Sequence, residues 1–405
     1  MIVPLLLDGS VENNLRQRGM KKDDCVSEWI LSHTNISSSF YENCAANGSD
    51  ILCTPTAAAN RIKLKEYGIE NRTAEINRQL CSLVKPYCKN GIRMAGVIST
   101  TDHIPEPFGD IEFRNLFNVF LEQAYILRDC GADILWIQAM TSLSEMRAAI
   151  FACKQTGLPV YASVALDSDG RTSSGALPLS CLICVQALGV SAFGFEYCDA
   201  DIIADAVKEI MPYASVPIIA RPDAGLEDMS GNYNIPTGTF NSYAVKCIKN
   251  GASVIGGGDG ASFEHILSLK HLISEQNITA GETEKYNDNC QIIVSNASQT
   301  FFLNTDSIET SQPLLCSQDM ADELIEINES SLDVITVELQ NCDDALLFSQ
   351  NSNFVSLPVM FTSSNRTALE TALFFYDGKA LIDSGCDIDE DILKHIAKEY
   401  GAIIY

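Results

Sequence analysis

The chain has 405 residues, 46% of them hydrophobic, and carries 27 basic against 53 acidic side chains for a net charge of −26. That length and apolar content suit two domains, or one barrel plus a smaller unit, around a sizeable core. The acidic balance argues against nucleic acid and anionic membranes as partners.

Taken in chain order, short apolar runs alternate with helical stretches. Ile2–Leu7 reads as a buried strand ending in the turn Asp8-Gly9. A helix is expected over Asp24–Thr34, and a second strand at Ile51–Thr54 is stopped by Pro55. A helical stretch from Ala57 to about Lys85, broken at Gly68, leads to a third strand at Met94–Ile98. Phe113–Cys130 shows Phe117, Phe120, Leu121, Ala124 and Leu127 at helical spacing. Strands follow at Ile134–Ile137, Val160–Val164, Ala192–Phe195, Val216–Ala220 and Ser253–Ile255. Between them lie helices at Ser142–Gln155, Leu177–Leu188, Ala200–Met211 and Asn241–Lys249. Strands that are apolar throughout and alternate with helices form a parallel sheet buried on both faces. Eight such units in about 270 residues match a TIM (β/α)8 barrel; the alternative α/β architecture is an open doubly wound sheet.

The polar stretch 274–289 reads as a linker between a barrel over 1–273 and a smaller α/β domain over 290–405. In that second region strands are expected at Leu314–Cys316, Val334–Leu339, Leu357–Phe361, Ala380–Ile382 and Ile403-Ile404. Helices are expected at Asp319–Asn328, Arg366–Phe375 and Asp389–Tyr400. Residues 286–405 carry 20 acids against 4 bases, which makes either a soluble surface or a dock for a basic partner.

The fifteen cysteines are odd in number and follow no disulfide framework. The segment Met1–Leu7 lacks the basic region of a signal peptide, and no run reaches the length of a membrane span. A cytoplasmic chain with free thiols is expected. Cys181 and Cys184 form a C-x-x-C within an apolar helix without a second pair, which reads as core packing.

The loop after the eighth strand, Gly256-Gly257-Gly258-Asp259-Gly260, opens a helix at Ser262 with Glu264 and His265 in its first turn. Bare glycine backbone and a helix start can approach an anion, although Asp259 beside them opposes one. Asp259, Glu196 and Asp223 also lie at strand ends, where carboxylates serve as general acids or bases.

Several motifs occur in order. They are Leu5–Gly9, Ala59-Asn60-Arg61-Ile62-Lys63-Leu64 with Tyr67-Gly68, Glu106-Pro107-Phe108-Gly109, Glu145-Met146-Arg147-Ala148-Ala149, Asp169-Gly170-Arg171-Thr172 with Gly175, and Pro222 with Ala224-Gly225-Leu226. With Gly256-Gly257, Gly260 and Glu264-His265-Ile266, they make residues 1–270 resemble the homocysteine S-methyltransferase family, and in particular the homocysteine-binding module of cobalamin-dependent methionine synthases. The resemblance implies methyl transfer to a thiol such as homocysteine, activated as a thiolate on a zinc held by three cysteines. The first of these falls on Cys198, and the other two positions hold Gly258 and Asp259. Cys53, near the end of the second strand, is a weak substitute.

Substrate-binding positions implied by the same resemblance are Asp8, Gln138, Glu196, Asp223, Gly257 and Gly258; a metal, if retained, would rest on Cys198 and Asp259. Gln138 stands where the family has Glu, and Asp223 where it has Asn. The first loop reads Ser10-Val11-Glu12-Asn13 instead of the family's A-M-G-T. Leu357–Met360, Ala368–Leu373, Asp377–Ile382 and Lys398–Ala402 resemble the first part of the methyltetrahydrofolate-binding (pterin-binding) barrel, with Thr336, Glu338, Thr362 and Asp383 at its pterin positions. This implies a truncated domain without a folate site, so that cobalamin or folate would come only through a partner. Three readings follow: a methyltransferase relative with a degraded zinc site, a catalytically silent scaffold or regulatory subunit of a methionine-synthase-like system, and a barrel repurposed for a small anion. Partners expected are a small thiol or amino acid, a cobalamin-binding or methionine-synthase-like protein, or a second copy of the chain.

Overall fold

The structure is a computed structural model. It describes the chain apart from residues 1, 17, 22, 108, 226–232 and 234 and the side chains of residues 12–14. Phe108 and Leu226 of the motifs above, and the side chains of Glu12 and Asn13, therefore lie outside the described residues. Two compact units are distinguished. One comprises residues 1–102, 114–173 and 190–285; the other comprises 103–113, 174–189 and 286–405.

The first unit contains eight parallel strands: β1 (Leu5–Leu6), β2 (Ile51–Cys53), β3 (Arg93–Ser99), β4 (Ile134–Met140), β5 (Val160–Ala165), β6 (Ala192–Glu196), β7 (Ile218–Arg221) and β8 (Val254–Ile255). Their order runs β1-β8-β7-β6-β5-β4-β3-β2. A parallel bridge from Leu7 to Ile51 and the hydrogen bond from Asp50 N to Leu6 O (2.7 Å) join the first strand to the second. The sheet thus closes on itself as a TIM barrel.

Strand side chains alternate between faces, and one set of alternate residues forms a single buried cluster. It includes Leu7, Ile51, Cys53, Ala95, Val97, Ile134, Trp136, Tyr161, Ala192, Ile219 and Val254. The intervening positions meet the helices: a Cβ on Gly96 would lie 3.0 Å from Leu127 and 3.2 Å from Ala132. The helix from Thr73 to Val84 buries Ile76, Leu80 and Val84 at the expected spacing, and Asn60 caps the helix Arg61–Lys65 by accepting from Lys63 N at 2.9 Å.

The second unit has an antiparallel hairpin, β9 (Gln291–Ser295) with β10 (Thr300–Asn304), and a parallel sheet. That sheet contains β11 (Leu314–Leu315), β12 (Ile335–Glu338), β13 (Val359–Thr362), β14 (Leu381–Ile382) and β15 (Ile403–Ile404), ordered as numbered. Its core gathers Ile335, Val337, Val359, Phe361, Leu369, Leu373, Leu393 and Ile396, among others. The five expected strands and three expected helices are present; the hairpin and the helix Cys342–Gln350 are additions. Among the described residues, no helix is long and apolar enough to cross a membrane.

Candidate functional site at the strand ends

The carboxyl ends of the barrel strands bring a buried ionic network together. Glu196, the last residue of β6, is fully buried, and Arg221, the last of β7, nearly so. Arg221 Nη1 donates to Glu196 Oε2 at 3.2 Å, and its Nε donates to Gly257 O at 3.1 Å. The guanidinium also lies 5.2 Å from the Trp136 ring centroid. Glu196 accepts further bonds from Gln138 Nε2 (2.9 Å), Ala139 N (3.1 Å) and Ser163 Oγ. Ser163 in turn accepts from Trp136 Nε1 at 2.9 Å. Burial opposes charge on Arg221, but Glu196 and neighbouring anionic groups hold its guanidinium protonated above the usual range. A buried ion pair survives only with this kind of hydrogen-bonded support.

Asp8 sits fully buried at the end of the first strand. Its Oδ2 accepts from Cys53 N at 2.7 Å, whereas Oδ1 has no hydrogen-bond partner among the described residues. Burial, countered by Arg221, pushes its carboxyl up to about 6. A cavity of about 70 Å³ is lined in part by the neighbouring Gly9 and by Ser10, Cys53, Gln138, Tyr197 and Arg221, with Asp8 itself behind that wall. Tyr197 and Ala139 adopt left-handed backbone angles, with φ of 54° and 53°. Such conformations in non-glycine residues cost about 1–3 kcal/mol and concentrate at functional sites.

The loop after β8 is packed by its glycines. A Cβ on Gly256 would lie 2.7 Å from the Leu7 side chain, and one on Gly257 2.1 Å from that of Ala261. At Gly258 it would lie 2.2 Å from Asp223 Oδ1 and 2.6 Å from Arg221 O. Four of the loop's N–H groups are also engaged. Gly256, Gly257 and Gly258 donate to Ala220 O, Asp8 O and Pro222 O, and Asp259 N donates to Asp223 Oδ1 at 2.7 Å. An anion would have to displace these bonds, so the glycine loop is a packing device and not an open nest. At the helix start, Ser262 N donates to His265 Nδ1 at 3.1 Å while His265 Nε2 meets Ile235 O at 2.9 Å. Both ring nitrogens thus serve the loop.

Burial and the charge of Asp259 push the Asp223 carboxyl up to about 8. Asp259 accepts from Ser10 Oγ at 3.2 Å, and its carbonyl accepts from Ala224 N at 2.7 Å. Cys198 is 7% exposed, and its thiol donates to Asp167 O at 3.4 Å. Burial pushes that thiol up to about 11. Cys53 lies on the cavity wall, its thiol raised by burial and by Asp8. Among the described residues, no three His, Cys, Asp or Glu side chains converge as a metal-binding group. Cys181 and Cys184 are both buried in the helix Pro178–Ala187.

Of the positions expected from the sequence, Asp8, Gln138, Glu196, Asp223, Gly257, Gly258, Cys198 and Asp259 all lie at strand ends or in the loops after them. Gln138 and Glu196 touch directly; Asp223 and Asp259 touch through the backbone. Arg221, Ser163, Trp136 and Tyr197 were not singled out. Arg221 had a signal: a lone cation closing an otherwise apolar strand just before Pro222.

A family model for homocysteine S-methyltransferase matches residues 5–273. The methionine synthase of Mycobacterium leprae (strain TN) is 22% identical over 300 residues, 67% of this chain. The chain spans about a quarter of that relative's length, 24%. Among solved structures, the metallated form of the homocysteine methyltransferase MmuM from Escherichia coli aligns with a TM-score of 0.57 at 16% identity, over 67% of this chain and 96% of that one. The oxidised form aligns with the same score at 17% identity, over 66% and 96%. These structural likenesses speak for the fold. The family match covers most of the chain, and the chain belongs to the homocysteine S-methyltransferase family.

Proposed function

We propose that the barrel keeps the family's amino-acid thiol site, for a ligand such as homocysteine, but with a degraded zinc site, so that a bound thiol is not activated through that metal. The observation that carries this reading is the 2.2 Å approach of a Gly258 Cβ to Asp223 Oδ1. Any side chain at position 258, a zinc-binding thiol included, competes with the Asp223 carboxyl for the same space. The donors left are one buried thiol, Cys198, and the carboxylates Asp223 and Asp259. Zinc in this family's chemistry keeps a substrate thiol deprotonated, and this donor set does not fit a closed, sulfur-rich tetrahedral centre.

Ligand binding has separate support. Asp8 Oδ1 is buried without a partner, an arrangement that costs free energy until a donor arrives. A ligand ammonium would be such a donor, and it would favour the ionised form of a carboxyl otherwise pushed up to about 6. Arg221, on the cavity wall, offers the complementary charge for a ligand carboxylate. Methyl transfer would then depend on another means of ionising the thiol, since one with a pKa near 8.5 is about 3% ionised at pH 7.

Titration calorimetry of the purified chain with homocysteine, paired with elemental analysis, tests this. Binding without stoichiometric zinc, weakened by Asp8→Asn, is the expected result. Zinc at one per chain, lost in Cys198→Ala, would overturn the reading.

A further inference from the structure

The segment between β1 and β2 folds into helices, and two of them build an apolar wall at the barrel mouth. The helix Val11–Arg16 carries Val11 and Leu15, and the helix Val26–Ser32 carries Val26 and Ile30. Each pair is four residues apart and so shares one helix face. Leu15 (1% exposed) and Ile30 (0%) are anchored in a buried cluster with Leu64, Ile76 and Leu80, and Val11 and Val26 pack against it. All four side chains also line the cavity that Gln138 and Arg221 line. Pro55 and Ala57, from the loop after β2, continue the apolar lining.

Resting on the reading that the strand ends hold an amino acid, we propose that this wall receives an apolar S-alkyl group, so that the preferred ligand is a thioether amino acid, an S-alkyl homocysteine, over the free thiol. The polar side chains of the lining are committed within the protein. Thr54 Oγ1 lies 2.7 Å from Thr56 Oγ1 and accepts from Val97 N at 2.9 Å. Ser10 donates to Asp259, and Gln138 donates to Glu196. The side chains of the wall are hydrocarbon alone. They offer a thiol hydrogen neither an acceptor nor a base, and a thioether has no such hydrogen to place.

Burial of apolar surface sets the size of the preference. Each methylene taken out of water against such a wall is worth about a fourfold gain in affinity. Val11 and Val26 are only partly buried and gain cover from the same alkyl group, whereas Leu15 and Ile30 are already out of water. Val26 and Val11 are therefore the residues that read the alkyl group, and Leu15 and Ile30 hold them in place. A free thiol forgoes this gain while keeping the contacts that its amino and carboxylate groups make at the strand ends.

Titration calorimetry of the full chain at pH 7 compares homocysteine with its S-methyl and S-ethyl derivatives. Affinity is expected to rise about fourfold from the thiol to the S-methyl compound and about fourfold again to the S-ethyl compound. Homocysteine binding with a flat or falling series would overturn the proposal and leave the amino-acid site standing. Binding by none of the three would overturn that underlying reading, and the proposal with it. Val26→Thr keeps the shape of the wall and exchanges one methyl for a hydroxyl. It should cut the ratio of S-ethyl to homocysteine affinity by about fourfold. An unchanged ratio, whether affinities stay put or fall together, would mean that Val26 serves packing alone and would overturn the proposal. The ligand series on the unmodified chain decides the matter even if that variant folds poorly.

Discussion

Replacing Gly258 by cysteine puts the space around the last barrel loop to a direct test. The new Cβ would sit 2.2 Å from Asp223 Oδ1 and 2.6 Å from Arg221 O. Real contacts at such an atom begin above 3 Å, so the loop or Asp223 must move by close to 1 Å. Overpacking of this kind costs about 1–3 kcal/mol. Moving Asp223 also loosens its bond to Asp259 N, worth about another 1 kcal/mol. Asp223→Ala removes the nearer obstacle and leaves the Arg221 carbonyl. Urea unfolding of Gly258→Cys, Asp223→Ala and the double variant forms a cycle. Gly258→Cys alone should destabilise the chain by about 2–3 kcal/mol. The double variant should be less destabilised than the sum of the single changes by about 1 kcal/mol or more. Additive effects, or a neutral Gly258→Cys, would show that Asp223 does not fill the position and would refute the packing argument.

Asp223 also predicts a pH dependence. Its folded carboxyl is raised to about 8, whereas an unfolded Asp titrates near 3.9. Between those values the folded state holds the extra proton, so stability falls as pH rises, by up to about 1.4 kcal/mol per unit. Asp223→Asn, which keeps an acceptor for Asp259 N, should flatten that slope in urea titrations from pH 5 to 8; an unchanged slope assigns it elsewhere. Arg221→Met leaves Glu196 buried without its cation and should cost about 3–5 kcal/mol, read by thermal or urea unfolding. Gly401, at φ 72° and with a would-be Cβ 2.9 Å from the Ala187 backbone, should tolerate Ala at a loss of more than about 1 kcal/mol, measured the same way.

The barrel was legible because its strands are apolar throughout and alternate with amphipathic segments. A buried parallel sheet imposes that pattern, and Ile134–Ile137 and Val160–Val164 fall within the observed strands for that reason. The glycines of the last loop were also legible, but their purpose was not. The sequence allows an open anion nest, while the folded chain turns those N–H groups onto Ala220, Asp8, Pro222 and Asp223. Long-range partners decide such a question, and spacing does not encode them. Arg221 was missed because the seventh strand was read to end at Ala220, one residue before the cation that holds Glu196. Gln291–Ser295 and Thr300–Asn304 are only partly buried and lack the long run of apolar residues that marks a central strand; their pairing with each other makes the hairpin. The helix Cys342–Gln350 opens on Asp343-Asp344, which looks like loop in isolation. Asn341 caps it by accepting from both of their N–H groups.

The central claim concerns sulfur activation at the barrel mouth, and metal stoichiometry measures it most directly. The chain is purified without chelators, given excess zinc, freed of unbound metal by gel filtration, and assayed by elemental analysis with and without homocysteine. The account predicts well under one zinc per chain in both samples, unchanged by Cys198→Ala. One tightly held zinc per chain, lost when Cys198 is replaced, would contradict it.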